Sequence, residues 1–207
     1  MFEAFQQHFT PDPSASPDTG GVVPELGIPG LRELIARFGG ASFNGGLYRI
    51  VRGADISRWN ERVSLGFPEY AERITCFGYD WLGRAFAADA DRREQGQLGV
   101  LLFEPGTGEV LAVPANVETF HDVELVRNSD RALASSAYTE WVAREGAVPA
   151  YAECIGYKIP LFLNGKDEFE NMELSDLDVY WHLMGQLIVQ TRDLRPGTRI
   201  DRITIDD

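Results

Sequence analysis

The chain is poor in several residue types on which common functions depend. Its 207 residues include two cysteines, three histidines and only 19 lysines and arginines, against 32 aspartates and glutamates. The net charge of −13 repels nucleic acid and anionic membrane surfaces, so we expect no direct binding to nucleic acid and no membrane partner. The sequence also has no apolar run of about 18 residues and no basic signal-peptide region, which predicts a cytoplasmic protein.

Patterns that mark an enzyme or a metal site are also missing. The sequence has no G-x-S-x-G elbow, no phosphate-binding loop and no H-E-x-x-H pair. Glu118, His121 and Asp122 would share a helical face, but bundle metal sites use Glu-x-x-His in pairs, and a solvated or partly buried helix face explains a single copy better. Cys76 and Cys154 lie apart in apolar surroundings, as buried free thiols do. We therefore expect no catalytic residue, metal or cofactor.

Apolar residues make up 44% of the chain, which is enough to fill a core. Apolar spacing of three and four residues predicts helices over 31–38, 56–65, 117–125 and 129–144. Alternating runs predict a strand over 47–51, four strands in two hairpins between 74 and 114, and an edge strand over 198–205. Helices around a mostly antiparallel sheet define an α+β fold.

The stretch 156–190 organises the C-terminal half. A β-rich run over 157–163 ends at a turn formed by Asn164 and Gly165, and Ser175 is the predicted N-cap of a long core helix. Gly185 interrupts the apolar face of this helix at a cost of roughly 1 kcal/mol, which indicates that another backbone packs closely there.

Residues 10–21 are rich in Pro, Ser, Asp and Gly, which is typical of a flexible segment. We therefore assign residues 1–23 to a flexible N-terminal lead-in and expect the fold to start after it.

Three groups of residues are candidates for a partner-binding surface. In each case a structural explanation competes: a charged hairpin tip for the first pair, core packing for the Trp of the second, and a solvated loop next to a helix N-terminus for the third. The groups are Asp89 and Asp91; Asp80 and Trp81; and the acidic loop residues Asp167, Glu168, Phe169, Glu170 and Glu173.

Several sequence blocks carry a family resemblance. In chain order they are FGGASFNGGLYRI, FGYDWLGRAFA, LLFEPGTGEVLAVP and ECIGYKIPLFLNGKDEFENMELSDLDVYWHLMGQL. Over about residues 24 to 200, this order resembles a family of two-part bacterial immunity proteins, in which a GAD-like N-terminal region precedes a C-terminal immunity domain. The resemblance implies a GAD-like region over 24–115 and an immunity domain over 116–207, packed as one compact unit.

The resemblance implies a function as well. The family members that are best understood are antitoxins of type VI secretion DNase effectors, and related SUKH-like immunity proteins use α+β scaffolds of this general kind. The matching positions are scaffold residues and identify no toxin contacts: Gly78, Asp80, Trp81, Gly83, Phe86, Gly156, Tyr157, Lys158, Pro160, Leu161, Tyr180 and Trp181. We therefore expect a toxin-binding DNase inhibitor without enzymatic activity. The alternative is a small enzyme or ligand-binding domain with its site between the sheet and the last helix.

Overall fold

The predicted antiparallel sheet is present and the α+β fold class is confirmed. The computed structural model describes residues 1–13, 27–28, 30–195, 198 and 203–205. Six strands follow one another as an antiparallel meander: β1 Ser42–Phe43, β2 Tyr48–Ile50, β3 Ile74–Asp80, β4 Ala85–Glu94, β5 Gln97–Glu104 and β6 Glu109–Asn116. A separate antiparallel pair contains β7 Glu153–Tyr157 and β8 Met172–Asp176.

Helices precede, interrupt and follow the sheet. Those in the described part of the chain are α1 Glu3–His8, α2 Leu31–Phe38, α3 Ile56–Gly66, α4 Val117–Thr119, α5 Leu125–Arg127, α6 Ser129–Leu133, α7 Ser135–Glu145 and α8 Leu177–Thr191. A π-helical turn, Phe120–Glu124, joins α4 to α5, and Ala134 separates α6 from α7 with a φ of +50°. None of these helices is both long and apolar enough to cross a bilayer.

Aromatic side chains cover both faces of the sheet. On one face Phe86 packs against Phe120 at a ring distance of 4.8 Å. On the other face Phe103 packs against Phe67, which follows α3, at 5.3 Å. One buried cluster includes residues from both predicted regions, and the predicted boundary between residues 115 and 116 falls within β6. The division into a GAD-like region and an immunity domain stays a prediction.

The long helix α8 is a core helix as predicted, and its close backbone contact is confirmed. A Cβ added to Gly185 would lie 3.2 Å from the amide nitrogen of Gly66 in α3. Trp181 is fully buried and donates its indole N–H to the carbonyl of Gly83 at 2.8 Å. The absence of a side chain at Gly185 thus lets α8 and α3 pack closely against each other.

The N-terminal prediction is wrong for the residues that the structure describes. Helix α1 lies within residues 1–13, and Phe2, Phe5 and Phe9 are buried in the core. The amides of Phe2 and Phe5 donate to the Asp122 carboxylate at 2.9 and 3.0 Å. The fold therefore starts at the N-terminal helix, and positions 14–23 of the predicted lead-in lie outside the described residues.

Three predicted boundaries also change. The N-cap of α8 is Asp176 instead of Ser175, and its carboxylate accepts the amide of Val179 at 3.0 Å. The β-rich run over 157–163 contains only the last residue of β7 and a 3₁₀ turn, Leu161–Leu163. Of the predicted edge strand over 198–205, the structure describes residues 198 and 203–205, and these are not in a strand.

Candidate partner-binding site

Asp80 and Trp81 are buried, so the structure contradicts their assignment to a binding surface. Asp80 accepts the backbone amides of Leu82 and Arg84 at 3.1 and 3.0 Å and the Arg84 guanidinium at 2.6 Å. Trp81 donates its indole N–H to the carbonyl of Leu133 at 2.8 Å. The Asp-Trp-Leu-Gly-Arg motif is therefore a structural turn between β3 and β4.

The electrostatics of this turn are internal to the fold. Burial raises the pKa of the Asp80 carboxyl, and the charge of Arg84 opposes that shift. Burial also acts to lower the pKa of Arg84, but Asp80 and Glu104 more than offset it, so the guanidinium stays charged. Arg84 pairs with both carboxylates, and all three side chains have little exposure to solvent.

Asp89 and Asp91 do not form a pair of surface carboxylates at a hairpin tip. The hairpin turns at Gln95 and Gly96, whereas Asp89 lies inside β4, where the pairing with β5 is irregular. Asp89 is buried and accepts two hydrogen bonds from Arg73, at 2.7 and 2.9 Å. Burial acts to raise the pKa of Asp89, but Arg73 and the Asp91 amide hold it below its usual range. Of the two, only Asp91 is exposed, with 65% of its side chain accessible, and it too contacts Arg73.

The predicted acidic loop is an exposed and well-defined segment. A 3₁₀ turn, Phe169–Asn171, leads directly into β8, a strand that the sequence reasoning missed. Four of the five predicted positions in this segment are exposed, namely Asp167, Glu168, Glu170 and Glu173. Phe169 is half-buried against Trp141 at a ring distance of 5.8 Å. The acids therefore face outward while the aromatic side chain attaches the segment to α7.

Hydrogen bonds fix this segment to the scaffold. The Asn171 amide group accepts the N–H of Ile159 at 3.0 Å and donates to the carbonyls of Ile159 and Lys166 at 2.8 and 2.9 Å. Lys158 donates to the carbonyl of Glu170 at 2.9 Å, and the Tyr157 hydroxyl donates to Asp167. A surface held in this way loses little conformational freedom when a partner binds.

The exposed acids differ in how much of their charge is already paired. Glu170 pairs with Arg144, whose hydrogen bond lowers the pKa of the Glu170 carboxyl. Glu168 is 3.8 Å from Lys166, and Glu173 forms no ion pair within the described residues. Glu173 is therefore unpaired among the described acids, and Glu168 is paired only at long distance with an exposed lysine.

His121 and Asp122, which the sequence placed in a possible metal-binding pattern with Glu118, serve packing and hydrogen bonding within the fold. The His121 ring is fully buried, with Nδ1 2.7 Å from the carbonyl of Val117 and Nε2 3.0 Å from the Tyr48 hydroxyl. Since a carbonyl can only accept, Nδ1 carries the proton and Nε2 accepts from Tyr48. Asp122 holds the amides of α1. Among the described residues, no three His, Cys, Asp or Glu side chains are grouped as metal ligands.

Both cysteines are buried free thiols, as predicted. Burial raises the pKa of Cys76 and of Cys154, which keeps each thiol protonated and a poor nucleophile.

An open groove of about 530 Å³ lies between α3 and α8. Asp178 at one end pairs with both Arg58 and Arg62. Leu65 and Val179 add apolar surface. A smaller cavity of about 220 Å³ lies between the sheet and α8, where the alternative function places its site, and it is lined in part by Arg84, Glu104 and Tyr157.

Comparisons with known proteins address the fold and not the function. No protein-family model matches the chain, and no curated protein matches it significantly. A crystal structure of Atu4351 from Agrobacterium tumefaciens is similar, with a TM-score of 0.62 over 90% of this chain and 89% of that chain, at 13% sequence identity. At this identity the similarity shows a shared fold alone.

Proposed function

We propose that the protein is an immunity protein that binds a type VI secretion DNase toxin and blocks it. The observation that carries the proposal is the acidic segment around Asp167 to Glu173, whose carboxylates are exposed while its backbone is fixed to the scaffold. The net charge of −13 and the family resemblance of the sequence blocks support the same function.

The proposed mechanism is electrostatic competition with DNA. A nuclease binds DNA phosphates through Lys and Arg side chains, and these attract surface carboxylates in the same way. Glu168 and Glu173, which are both exposed, would enter this basic groove and exclude DNA or cover the catalytic residues. The protein itself performs no chemistry in this proposal and contacts no nucleic acid.

The experiment that tests the proposal starts from the gene beside this one. If that gene encodes a nuclease toxin, the two purified proteins should elute together on size exclusion, and co-expression should rescue cells from the toxin. Separate elution together with no rescue would contradict the proposal.

One observation favours the alternative of a ligand-binding domain. Arg49 in β2 is fully buried, and although its Nη2 donates to the carbonyl of Pro149, its Nε and Nη1 find no acceptor within the described residues. Pro149 also lines a cavity of about 470 Å³ together with Asp12, Arg52 and Tyr151, whereas Arg49 itself is not part of the lining. Anion binding there should be visible as a rise in Tm with millimolar inorganic phosphate, and an unchanged Tm would count against it.

A further inference from the structure

Strand β8 has a strand neighbour on one side. It pairs with β7 from Glu153 opposite Asp176 to Tyr157 opposite Met172, and no third strand joins this sheet in the described part of the chain. The far side of β7 is already occupied, because the amide of Ile155 donates to the carbonyl of Trp81 at 2.7 Å. The outer side of β8 is thus the open edge of the small sheet.

The hydrogen bonds of β7 show which of its residues face β8. Along an antiparallel strand, successive residues direct their N–H and C=O groups to opposite sides. Ile155 faces Trp81, away from β8, whereas the amide of Lys158 donates to the carbonyl of Asn171, immediately before β8, at 2.8 Å. The even-numbered residues of β7 therefore direct their backbone N–H and C=O groups toward β8.

The same alternation identifies the backbone groups on the open edge. Cys154 lies opposite Ser175 and Gly156 opposite Glu173, so Ser175 and Glu173 direct their backbone groups to β7. Leu174, between them, directs its N–H and C=O outward. No described residue forms a hydrogen bond to these two groups.

The side chains around this edge define the chemistry of a partner. Leu174 is 44% exposed, and Glu173 and Asp176 on either side of it are exposed as well. Exposed Glu168 and Glu170 precede the strand. An added strand would therefore meet two free backbone hydrogen-bonding groups, an apolar contact and several carboxylates.

We propose that the open edge of β8 binds an extended Lys- or Arg-rich segment of the toxin as a third strand of this sheet. The inference rests on the proposed immunity function and specifies how the partner is bound. Backbone hydrogen bonds to Leu174 supply affinity, and the carboxylates on both sides of it select basic side chains.

The edge of the large sheet does not offer the same selectivity. Strand β6 is its last strand and also exposes side chains, but those near its middle, Leu111, Ala112 and Pro114, are uncharged. Of these two edges, that of β8 has the more exposed carboxylates close to its outward backbone groups.

A proline at position 174 tests the inference directly. Proline removes the outward N–H, while the backbone bonds of Glu173 and Ser175 to β7 remain, and an edge strand tolerates proline at such a position. Leu174→Pro should weaken binding of the purified neighbouring-gene toxin about 10- to 100-fold, as expected when a hydrogen bond is lost and its partner is left unsatisfied. The control, Leu174→Ala, keeps the N–H and should bind within about threefold of wild type.

Hydrogen exchange provides a second measurement that needs no variant. In the free protein the Leu174 amide should exchange fast while those of Glu173 and Ser175 are protected, and toxin binding should slow exchange at Leu174. This result stays informative if Leu174→Pro does not fold.

The outcomes separate the two proposals. No complex with the wild-type protein overturns the immunity function and this inference with it. If the wild-type protein binds the toxin and Leu174→Pro binds it equally well, strand addition alone is overturned. The same holds if the Leu174 amide still exchanges fast in the wild-type complex. Weakening by Leu174→Pro but not by Leu174→Ala, with slowed exchange at Leu174, supports it.

Discussion

The buried His121 and Tyr48 pair shows how single residues set the properties of this fold. His121 accepts the Tyr48 hydroxyl and donates to the carbonyl of Val117. Burial lowers the pKa of His121 to about 4, because the charged imidazolium cannot be solvated in the core. His121, which lies between the acids Glu118 and Asp122 in sequence, is thus kept neutral and contributes to packing.

This neutral histidine makes stability depend on pH. The folded-state pKa is about 4, below the value of 6.5 expected in the unfolded chain, so the unfolded state binds more protons between these values. The stabilisation is fully present above pH 6.5 and is lost as the pH falls toward 4. The free energy of unfolding should drop by roughly 2 kcal/mol between pH 7 and pH 5 because of His121 alone.

Urea unfolding of wild type and His121→Gln at pH 7 and pH 5 measures this contribution of His121 to the free energy of unfolding. The variant should be less stable at pH 7 but should lose about 2 kcal/mol less on acidification. Parallel pH dependence in the two proteins would show that His121 does not titrate in this way.

Carboxylates that look alike in the sequence serve opposite purposes. Asp80 and Asp89 are buried and bound by Arg84 and Arg73, whereas Glu168 and Glu173 are exposed. Composition alone gives the number of acids. Only the fold separates those that organise turns and strands from those that face solvent.

At the scale of elements, the close backbone contact at Gly185 is the contact that the sequence predicted best, although the sequence did not identify α3 as the neighbour. Gly185 interrupts an apolar helical face, and the structure places Gly66 against it. A Cβ on Gly66 would in turn lie 3.1 Å from the Cα of Gly185. The two glycines therefore set the distance between the helices.

Gly185→Ala should destabilise the fold although alanine favours helix formation. The added methyl would lie 3.1 Å from Cγ of Leu65 and 3.2 Å from the Gly66 amide nitrogen, so the backbone of α3 would have to shift by a few tenths of an ångström. We expect a net loss of about 1 to 2 kcal/mol, because overpacking outweighs the gain of roughly 1 kcal/mol in helix propensity.

Chemical denaturation tests this expectation. Val189→Ala, at an exposed position of the same helix, is the control and should change stability by about 0.5 kcal/mol or less. A Gly185→Ala variant as stable as wild type would mean that the two helices separate at little cost.

Local sequence patterns predicted most of the helices and strands. They failed where contacts between residues distant in sequence determine the secondary structure. The turn at 105–108 and the helices α2 and α3 follow from spacing and turn residues near them in sequence. Strand β8 was missed because its five residues include two acids and a serine and gain strand geometry only by pairing with β7. The break at Ala134 likewise has no signal in its own sequence.

The N-terminal helix had a signal that the composition of the following segment concealed. Phe2, Phe5 and Phe9 recur at helical spacing, which the Pro- and Ser-rich stretch after them does not alter. The candidate site was predicted in part: the acidic segment is exposed, whereas Asp80, Trp81 and Asp89 are buried. Trp81 and Asp89 are bound by groups distant in sequence, namely the Leu133 carbonyl and Arg73, and Asp80 is bound by Arg84 in its own turn.

At the scale of the whole molecule, a charge of −13 is spread over a scaffold that places several acids on one fixed segment. Long-range attraction accelerates association with a basic partner, and the position of the charge relative to the interface decides by how much. If the acidic segment is the binding surface, a charge change there should alter the association rate more than the same change elsewhere.

Charge reversal tests that expectation. Glu168→Lys with Glu173→Lys should slow association with the toxin about tenfold at low salt and reduce its salt dependence. Thermal stability should change little, because neither carboxylate has a buried partner among the described residues. Stopped-flow or surface-based kinetics give the rate constants.

A matched control separates position from net charge. Glu3→Lys with Glu109→Lys changes the charge equally at exposed sites on α1 and β6 and should slow association less. Equal effects of the two double variants would remove the acidic segment from the interface.

Titration of DNA cleavage tests the central claim most directly. With the toxin from the neighbouring gene held at a fixed concentration above the dissociation constant, increasing amounts of this protein should reduce cleavage linearly and abolish it at a fixed stoichiometric equivalence point. Cleavage that continues undiminished at a large excess of this protein would contradict the immunity function.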